Sequence, residues 1–178
     1  PNIHQVNNGL IKPLTVEHSE LPGLSYALVC NLDTGGLRCD LFFSHAWDEG
    51  VFEFIDNALR AWPDKCQGAY ICFLANPQNL DIGAVLGSDL ADNPFYRVLC
   101  CQPPPRMVML ANSKMPIHSR WWCIFEAFLA ALLNLSVSIA GRPLHLLTGR
   151  LKDGLKVKER AAERMKEESA DAVRRIFA

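Results

Sequence analysis

Residues 119–133, SRWWCIFEAFLAALL, are the stretch around which the fold is organised, and they predict a helix that is apolar on almost every side. Ser119 suits the N-cap of this helix. The helix contains one acid, Glu126, and it shares a face with Trp122 and Cys123, which precede it by four and three residues. We therefore expect a helix that is buried on most sides and that carries an acid among its apolar residues.

Two interpretations of Glu126 follow from the helix alone. An ionised acid is rarely buried unless it is paired or functional. Glu126 is therefore either a structural carboxylate, paired with Arg120 or with a basic group from another element, or a group that performs chemistry. A second stretch favours chemistry, because residues 40–48, DLFFSHAWD, end a predicted strand with a hydroxyl, an imidazole, an indole and a carboxylate.

The composition argues against several classes of function. The chain has 178 residues and a formal net charge of −1, so no broad electrostatic attraction to nucleic acid or to a membrane surface is expected. No apolar run approaches the roughly 20 residues that a membrane span needs. The 7 cysteines show no zinc-ligand spacing, so we expect buried free thiols in a reducing cytoplasm and no metal site.

Strand-like and helix-like runs alternate along the chain, which predicts a parallel sheet covered by helices on both faces. We expect an α/β, flavodoxin-like, three-layer fold with about five strands in the order 2-1-3-4-5. A further strand at 26–32 is plausible, and its pairing as a hairpin with the next strand stays open. The main strands are predicted at 38–43, 69–75, 107–111, 136–140 and 144–147, with helices at 51–62, 94–101 and 119–133.

The chain is interpreted as a main domain flanked by two shorter parts. Asp48 is expected to cap the helix at 51–62. The first 24 residues are expected to lie on the surface with little regular structure. The three parts are a lead-in segment at 1–37, the domain at 38–150, and a charged amphipathic helix at 151–178 whose charges form a solvated face.

The two unusual stretches are predicted to meet at one crevice. In the expected sheet the first and third strands are neighbours, and ligands bind beyond their carboxyl ends. A crevice of this composition suits a nucleotide or sugar held between aromatic rings beside a carboxylate. The candidate residues are Ser44, His45, Trp47, Asp48, Arg120, Trp122 and Glu126.

Each candidate also has a structural interpretation. His45 is either a functional group or a structural histidine whose hydrogen bonds are satisfied. Trp47 is either functional or a side chain that only packs against its neighbours, and packing is favoured for Trp121. Arg120 is either functional or merely exposed. The chain has no Gly-x-Gly-x-x-Gly and no P-loop, which disfavours dinucleotide reduction and phosphoryl transfer. It has no nucleophile elbow around Ser44, which disfavours a serine hydrolase.

Two motifs resemble a known family. Residues 40–47, DLFFSHAW, followed by a helix, resemble the first strand and loop of TIR (Toll/interleukin receptor) domains. Residues 119–126, SRWWCIFE, resemble the Trp-Cys-x-x-Glu signature on the helix after the third strand of that family. The divergent protist and microbial TIR-like modules are the most similar, and Asn76-Pro77-Gln78 also fits them. The resemblance covers roughly residues 38–150 and implies a flavodoxin-like fold.

The resemblance carries an expected chemistry, because many TIR domains cleave NAD at the nicotinamide–ribose bond while others act only as assembly modules. It implies that Glu126 contacts the ribose hydroxyls and stabilises an oxocarbenium-like transition state. NAD is then a substrate, no cofactor is needed, and self-association or association with other TIR-like domains is expected. The residues expected to bind substrate are Ser44, His45, Trp47, Asp48, Asn76, Arg120 and Trp122.

The leading hypothesis is a cytoplasmic TIR-like signalling enzyme that hydrolyses or cyclises NAD with Glu126. The first alternative is a catalytically silent TIR-like interaction module in which Glu126 is structural. A third hypothesis is a related fold that acts on free nucleosides, such as a deoxyribosyltransferase-like enzyme. The first two differ in whether the crevice admits a ribose beside Glu126, and the third requires turnover of nucleosides instead of NAD.

Overall fold

The structure is a computed structural model, and its described residues are 1–16, 23–87 and 89–141. They belong to one compact unit, Pro1–Pro143. The predicted strand at 144–147 and the predicted charged helix at 151–178 lie outside the described residues.

The described part of the chain contains a sheet of four parallel strands, which confirms the expected α/β class with a parallel sheet. The strand order is β2-β1-β3-β4, so β1 and β3 are neighbours as predicted. In the register of β1 and β3, Ser44 is paired with Met109. The strands are β1 (Leu41–Ser44), β2 (Ala69–Ile71), β3 (Arg106–Ala111) and β4 (Val137–Gly141).

Helices connect and precede these strands. The α-helices are α1 (Ile3–Val6), α2 (Lys12–Val16), α3 (Tyr26–Cys30), α4 (Val51–Ala61), α5 (Cys72–Ala75), α6 (Ile82–Leu86), α7 (Pro94–Leu99) and α8 (Trp121–Leu132). A π-helical segment, Asn7–Ile11, joins α1 to α2, and short 3-10 turns occupy Leu32–Thr34, Leu90–Asp92 and Ile117–Ser119. Among the described residues, no helix has the length and apolar character needed to cross a membrane.

Strand β1 is central, and its alternate side chains enter two different hydrophobic clusters. Leu41 and Phe43 pack in a cluster that includes Phe54 of α4. Phe42 packs in a second cluster that includes Leu129 of α8 and residues of α7. Because successive side chains of a strand point to opposite faces, β1 is buried on both sides, as a continuous apolar run predicts.

The prediction for residues 1–24 is wrong over their described part. Residues 3–16 form a nearly continuous helical run, and Ile3 and Ile11 are buried in the core. A capping box begins this run, since Asn2 Oδ1 accepts a hydrogen bond from Gln5 N and Gln5 Oε1 accepts one from Asn2 N. The prediction gave more weight to the glycine and prolines at turn-like positions than to this capping box.

Two predicted strand boundaries also require correction. The run at 26–32 is the helix α3, because the Ser25 hydroxyl accepts a hydrogen bond from Leu28 N and caps it. The hairpin is thereby excluded, which leaves β1 free to pair on both sides. The run at 69–75 forms β2 only as far as Ile71, and Cys72 then begins the short helix α5.

Two predicted helix caps are wrong. Helix α8 begins after Arg120, while the Ser119 hydroxyl donates to the carbonyl of Pro116 within the preceding 3-10 turn. Helix α4 begins after Gly50, and no side chain caps it. Asp48 lies two residues too early to act as the cap and bonds elsewhere, as described below.

Helix α8 is less buried than its composition predicts. Trp121 and Trp122 are 74% and 42% exposed, so the interpretation of Trp121 as a packed side chain is wrong. The buried face is the predicted one and contains Cys123, Glu126, Leu129 and Ala130. Apolar composition therefore located the helix correctly and overestimated the number of sides that neighbouring elements cover.

The cysteines are also less buried than expected. All seven are free thiols, but only Cys123 is buried, while Cys30 and Cys101 are exposed and the others are partly buried. Cys30 shows the reason, because it lies in an apolar run that forms a helix of five residues with no buried position.

Candidate functional site

A cavity of about 220 Å³ lies where β1 and β2 end and α8 begins. The residues that follow β1 and β2 form one wall, and the first two turns of α8 form another. Aromatic rings supply much of the remaining surface. The lining residues are His4, His45, Trp47, Cys72, Asn76, Gln78, Leu86, Phe95, Arg120, Trp122 and Glu126.

The structure brings together the residues that the sequence analysis selected. Six of them line this cavity, and the other two are bonded to residues that line it. Ser44 contacts Glu126, and Asp48 contacts Arg120. The six lining residues are His45, Trp47, Asn76, Arg120, Trp122 and Glu126.

Glu126 is 5% exposed and faces the cavity from the buried side of α8. The Ser44 hydroxyl, at the end of β1, donates a hydrogen bond of 2.5 Å to Glu126 Oε2. Burial raises the pKa of Glu126 to about 7, although the Ser44 hydrogen bond and the charges of His45 and Arg120 oppose the increase. The pKa of Glu126 therefore lies near neutral pH, so this acid has access to both protonation states.

Arg120 does not pair with Glu126. Its Nη1 donates a hydrogen bond of 3.3 Å to Asp48 Oδ2, and His4 Nε2 lies 3.6 Å from the other oxygen of Asp48. The N-terminal helical run reaches this place because Ile3 N donates to the backbone carbonyl of Trp47. The structural interpretation that paired Glu126 with Arg120 is thus wrong, and the contact that holds the Glu126 carboxyl is a hydroxyl.

His45 and Glu49 form a buried pair beneath the cavity. His45 Nδ1 lies 3.1 Å from Glu49 Oε1, and both side chains are at most 1% exposed. Burial alone would lower the pKa of His45, but the Cys72 sulfur and the Glu49 carboxylate outweigh burial and raise it to about 10. Burial raises the pKa of Glu49, against the opposing effect of His45. We take the pair as an imidazolium and a carboxylate, since each stabilises the charge of the other.

Cys72 occupies the other side of His45. Its Sγ lies 3.3 Å from His45 Nε2 and accepts a hydrogen bond of 3.2 Å from Trp47 Nε1. The sequence analysis missed Cys72, because a strand predicted to continue to residue 75 would bury it. The end of β2 at Ile71 instead places Cys72 on the cavity wall.

Asn76 and Gln78 form a polar part of the cavity lining. The Tyr70 hydroxyl donates a hydrogen bond of 2.7 Å to Asn76 Oδ1, and Gln78 Nε2 donates to the backbone carbonyl of Asn76 at 2.9 Å. Asn7, from the π-helical segment, donates to Gln78 Oε1 at 3.1 Å. The sequence analysis selected Asn76 but missed Gln78, and it had no signal for His4, Leu86 or Phe95, which come from elements that pack here through the tertiary fold.

A wider depression of about 690 Å³ lies beside α3 and α7. Among the described residues, its lining contains no carboxylate and one thiol, Cys39, which is held protonated because burial raises its pKa to about 11. It therefore lacks an acid–base group or nucleophile suited to neutral pH. We place the candidate site in the smaller cavity, where Glu126, His45 and Cys72 converge.

Comparisons of the chain with protein-family models, with curated proteins and with solved structures return no match.

Proposed function

We propose that this chain is a TIR-like domain that cleaves NAD at the nicotinamide–ribose bond, with Glu126 as the catalytic residue. The observation that carries the proposal is the position of Glu126, a buried acid held by Ser44 on the wall of an aromatic cavity. The hydrogen bond between Ser44 and Glu126 joins the two motifs at the cavity, although these two residues are 82 positions apart in the sequence. Their meeting point is the one that the family resemblance implies.

The proposal includes a flavodoxin-like, three-layer architecture. The strand order β2-β1-β3-β4 matches the first four positions of the order 2-1-3-4-5. The two hydrophobic clusters, which share the alternating side chains of β1, support layers of helices on both faces of the sheet. The proposal includes the fifth strand of that order.

In the proposed reaction the bond between the ribose anomeric carbon and the nicotinamide nitrogen breaks, and its electron pair leaves with nicotinamide. The sugar becomes an oxocarbenium-like cation, which the ionised carboxylate of Glu126 stabilises. Ser44 holds that carboxylate in place. Water then adds to the anomeric carbon and loses a proton, giving ADP-ribose, or an adenine nitrogen adds and gives the cyclic product.

The size of the cavity limits what it is able to enclose. Pockets that bury a whole drug-sized ligand usually measure about 300–1,000 Å³, and this one measures about 220 Å³. We therefore propose that only the nicotinamide–ribose end of NAD enters. Trp47 and Trp122 would contact the nicotinamide ring, and Arg120 at the cavity wall would meet the negatively charged pyrophosphate.

A second candidate function, a protein-interaction module, is favoured by one surface. Helix α4 exposes Phe52, Ile55 and Leu59, which are 73%, 44% and 66% exposed and lie on one side at helical spacing. Contiguous exposed apolar side chains are typical of interaction surfaces. The two functions are compatible, because self-association through such a face is the arrangement expected of a TIR-like enzyme in the cytoplasm.

The test is nicotinamide release from NAD by the purified chain, with Glu126→Gln and Asp33→Asn measured beside it. Asp33 is an exposed acid in the 3-10 turn Leu32–Thr34, outside the cavity lining and outside α4, so its variant is a control for the removal of an acid. Each protein is assayed dilute and at high concentration with a crowding agent. Release by the parent and the Asp33 variant, and none by the Glu126 variant, is expected. Equal release by all three would exclude Glu126 as the catalytic residue.

A further inference from the structure

Cys72 has contacts that distinguish it from the other described thiols near the cavity. Its sulfur lies within hydrogen-bond distance of two ring nitrogens, His45 Nε2 at 3.3 Å and Trp47 Nε1 at 3.2 Å. The indole nitrogen is always a donor, and the imidazolium form of His45 is a second donor. N–H donors aimed at a sulfur stabilise its thiolate, which is the nucleophilic form of cysteine.

Two other thiols, Cys123 and Cys39, each have a backbone carbonyl within hydrogen-bond distance of the sulfur. Cys123 Sγ donates to the backbone carbonyl of His45 at 3.3 Å, and Cys39 Sγ donates to the carbonyl of Leu41 at 3.0 Å. A carbonyl acceptor holds the proton on sulfur. Burial raises the pKa of Cys123 to about 12, so this thiol stays protonated at neutral pH. Only Cys72 combines donors at its sulfur with a position on the wall of the described cavity.

Glu49 orients the base beside Cys72. The contacts run from Cys72 Sγ to His45 Nε2, and from His45 Nδ1 to Glu49 Oε1 at 3.1 Å. Glu49 is fully buried, and its second oxygen has no hydrogen-bond partner among the described residues. A nucleophile, a base and a group that orients the base, each within reach of the next, form the general arrangement of an activated cysteine.

We propose that Cys72 is a covalent modification site that adds to small α,β-unsaturated carbonyl compounds inside this cavity, with His45 as proton carrier and Glu49 as positioning residue. In the addition, sulfur forms a bond to the β-carbon, and the electron pair of the carbon–carbon double bond moves to the α-carbon. The thiol proton passes through His45 to that α-carbon. Nothing leaves and no further reactant is consumed.

The cavity determines which compounds fit. Its volume of about 220 Å³ and its rings, Trp47, Phe95 and Trp122, favour short, partly apolar electrophiles. An adduct on Cys72 would fill the space beside Glu126, so the same cavity would then exclude a ribose. This site does not rest on the proposed NAD chemistry, because the adduct is detected by its mass whether or not the chain cleaves NAD.

The titratable groups around Cys72 come from three elements. They are His45 and Glu49 after β1, Tyr70 on β2, and Glu126 and Cys123 on α8. Among them His45 lies nearest to the sulfur in hydrogen-bond geometry, and Trp47 supplies the second N–H donor. The exposed thiol of Cys101 has no such partner and is the control within the same molecule.

The experiment treats the full chain with a low concentration of acrylamide between pH 6 and 9 and measures adducts on each cysteine by peptide mass spectrometry. At pH 6.5 we expect Cys72 to react about tenfold faster than Cys101, because two N–H donors contact the Cys72 sulfur. The Glu49→Gln and Trp47→Phe variants should each slow Cys72 several-fold and leave Cys101 unchanged. The Trp47 variant covers the case in which loss of buried Glu49 prevents folding. Equal rates at Cys72 and Cys101 at every pH would overturn the proposal, as would an unchanged Cys72 rate in both folded variants.

Discussion

The Glu126→Gln variant should gain stability over the parent as the pH rises. Glu126 is 5% exposed, and its pKa lies at about 7 instead of the usual 4.5 because burial disfavours the ionised form. The difference of about 2.5 between these values, at about 1.4 kcal/mol for each pKa unit, corresponds to about 3.5 kcal/mol. This is the cost of holding the Glu126 carboxylate ionised inside the folded chain.

The direction of the pKa change determines how the stability difference between the Glu126→Gln variant and the parent depends on pH. Since folding raises the pKa of Glu126, its stabilising contribution is complete below about pH 4.5 and is lost as the pH rises through 7. A glutamine does not titrate, and its amide oxygen still accepts the Ser44 hydrogen bond. The free energy of unfolding of the variant, minus that of the parent, should therefore increase by about 3 kcal/mol between pH 4.5 and pH 8.

Urea unfolding followed by tryptophan fluorescence measures this difference at both pH values. The control is Asp56→Asn, whose surface pair with Arg60 is worth at most about 0.5 kcal/mol, so its difference from the parent should change little with pH. A Glu126 variant that is less stable than the parent at pH 4.5 and still less stable at pH 8 would refute the reasoning. Such a result would mean that the fold stabilises the ionised acid.

Further expectations concern the site, the sheet and the surface. Nicotinamide release should rise about tenfold from pH 6 to pH 8 as Glu126 ionises around its pKa of about 7, and a rate that falls over this range would contradict the assigned role. Ser44→Ala removes the hydrogen bond that lowers the pKa of Glu126, so the midpoint of that profile should move to higher pH. Gly68→Ala should lower the free energy of unfolding in urea by about 1–3 kcal/mol, because a Cβ there would overlap the backbone carbonyl oxygen of Arg38, which precedes β1. An unchanged free energy of unfolding would show that this backbone is able to shift. Phe52→Ser with Leu59→Ser should reduce self-association in sedimentation with little loss of stability, and unchanged association would remove α4 as the interface.

The sequence predicted the central part of the fold because its signals there are redundant. Residues 107–111 are an apolar run, and residues 136–140 alternate serine with apolar side chains over their first four positions. They form β3 and β4 almost as expected. Helix α7 begins at Pro94, where the helix at 94–101 was predicted to begin. Asn93 Oδ1 accepts a hydrogen bond from the backbone N–H of Phe95, and Pro94 has no N–H that needs a partner. Parallel order then followed from the alternation of strands and helices.

The sequence was less informative where tertiary contacts decide the structure. The run at 26–32 is rich enough in apolar residues for a strand, and a single Ser25 cap on a short helix decided otherwise. Helix α8 looked buried on most sides, yet Trp121 faces solvent because no described element covers it. The elements that pack against a helix decide how many of its faces are buried, and the composition of the helix does not show this.

The sequence predicted the acid of the candidate site and the residue at the end of β1, but it did not predict all of the polar groups of the site. Glu126 and Ser44 were identifiable because one is an acid in an apolar helix and the other ends a buried strand. Glu49 was not among the candidates, and only the structure of the turn after β1 shows that it lies against His45. Cys72 required knowing that β2 ends at Ile71, a boundary that apolar patterning does not resolve.

The most direct test of the central proposal is to follow NAD and the purified chain by proton NMR in one sample at pH 8. This measurement identifies which bond breaks. We expect the anomeric proton of the nicotinamide ribose to disappear while free nicotinamide appears, and both changes to be absent with Glu126→Gln. Intact NAD in the presence of a folded, concentrated parent, or its cleavage to AMP and nicotinamide mononucleotide, would contradict the assignment of Glu126 to the nicotinamide–ribose bond.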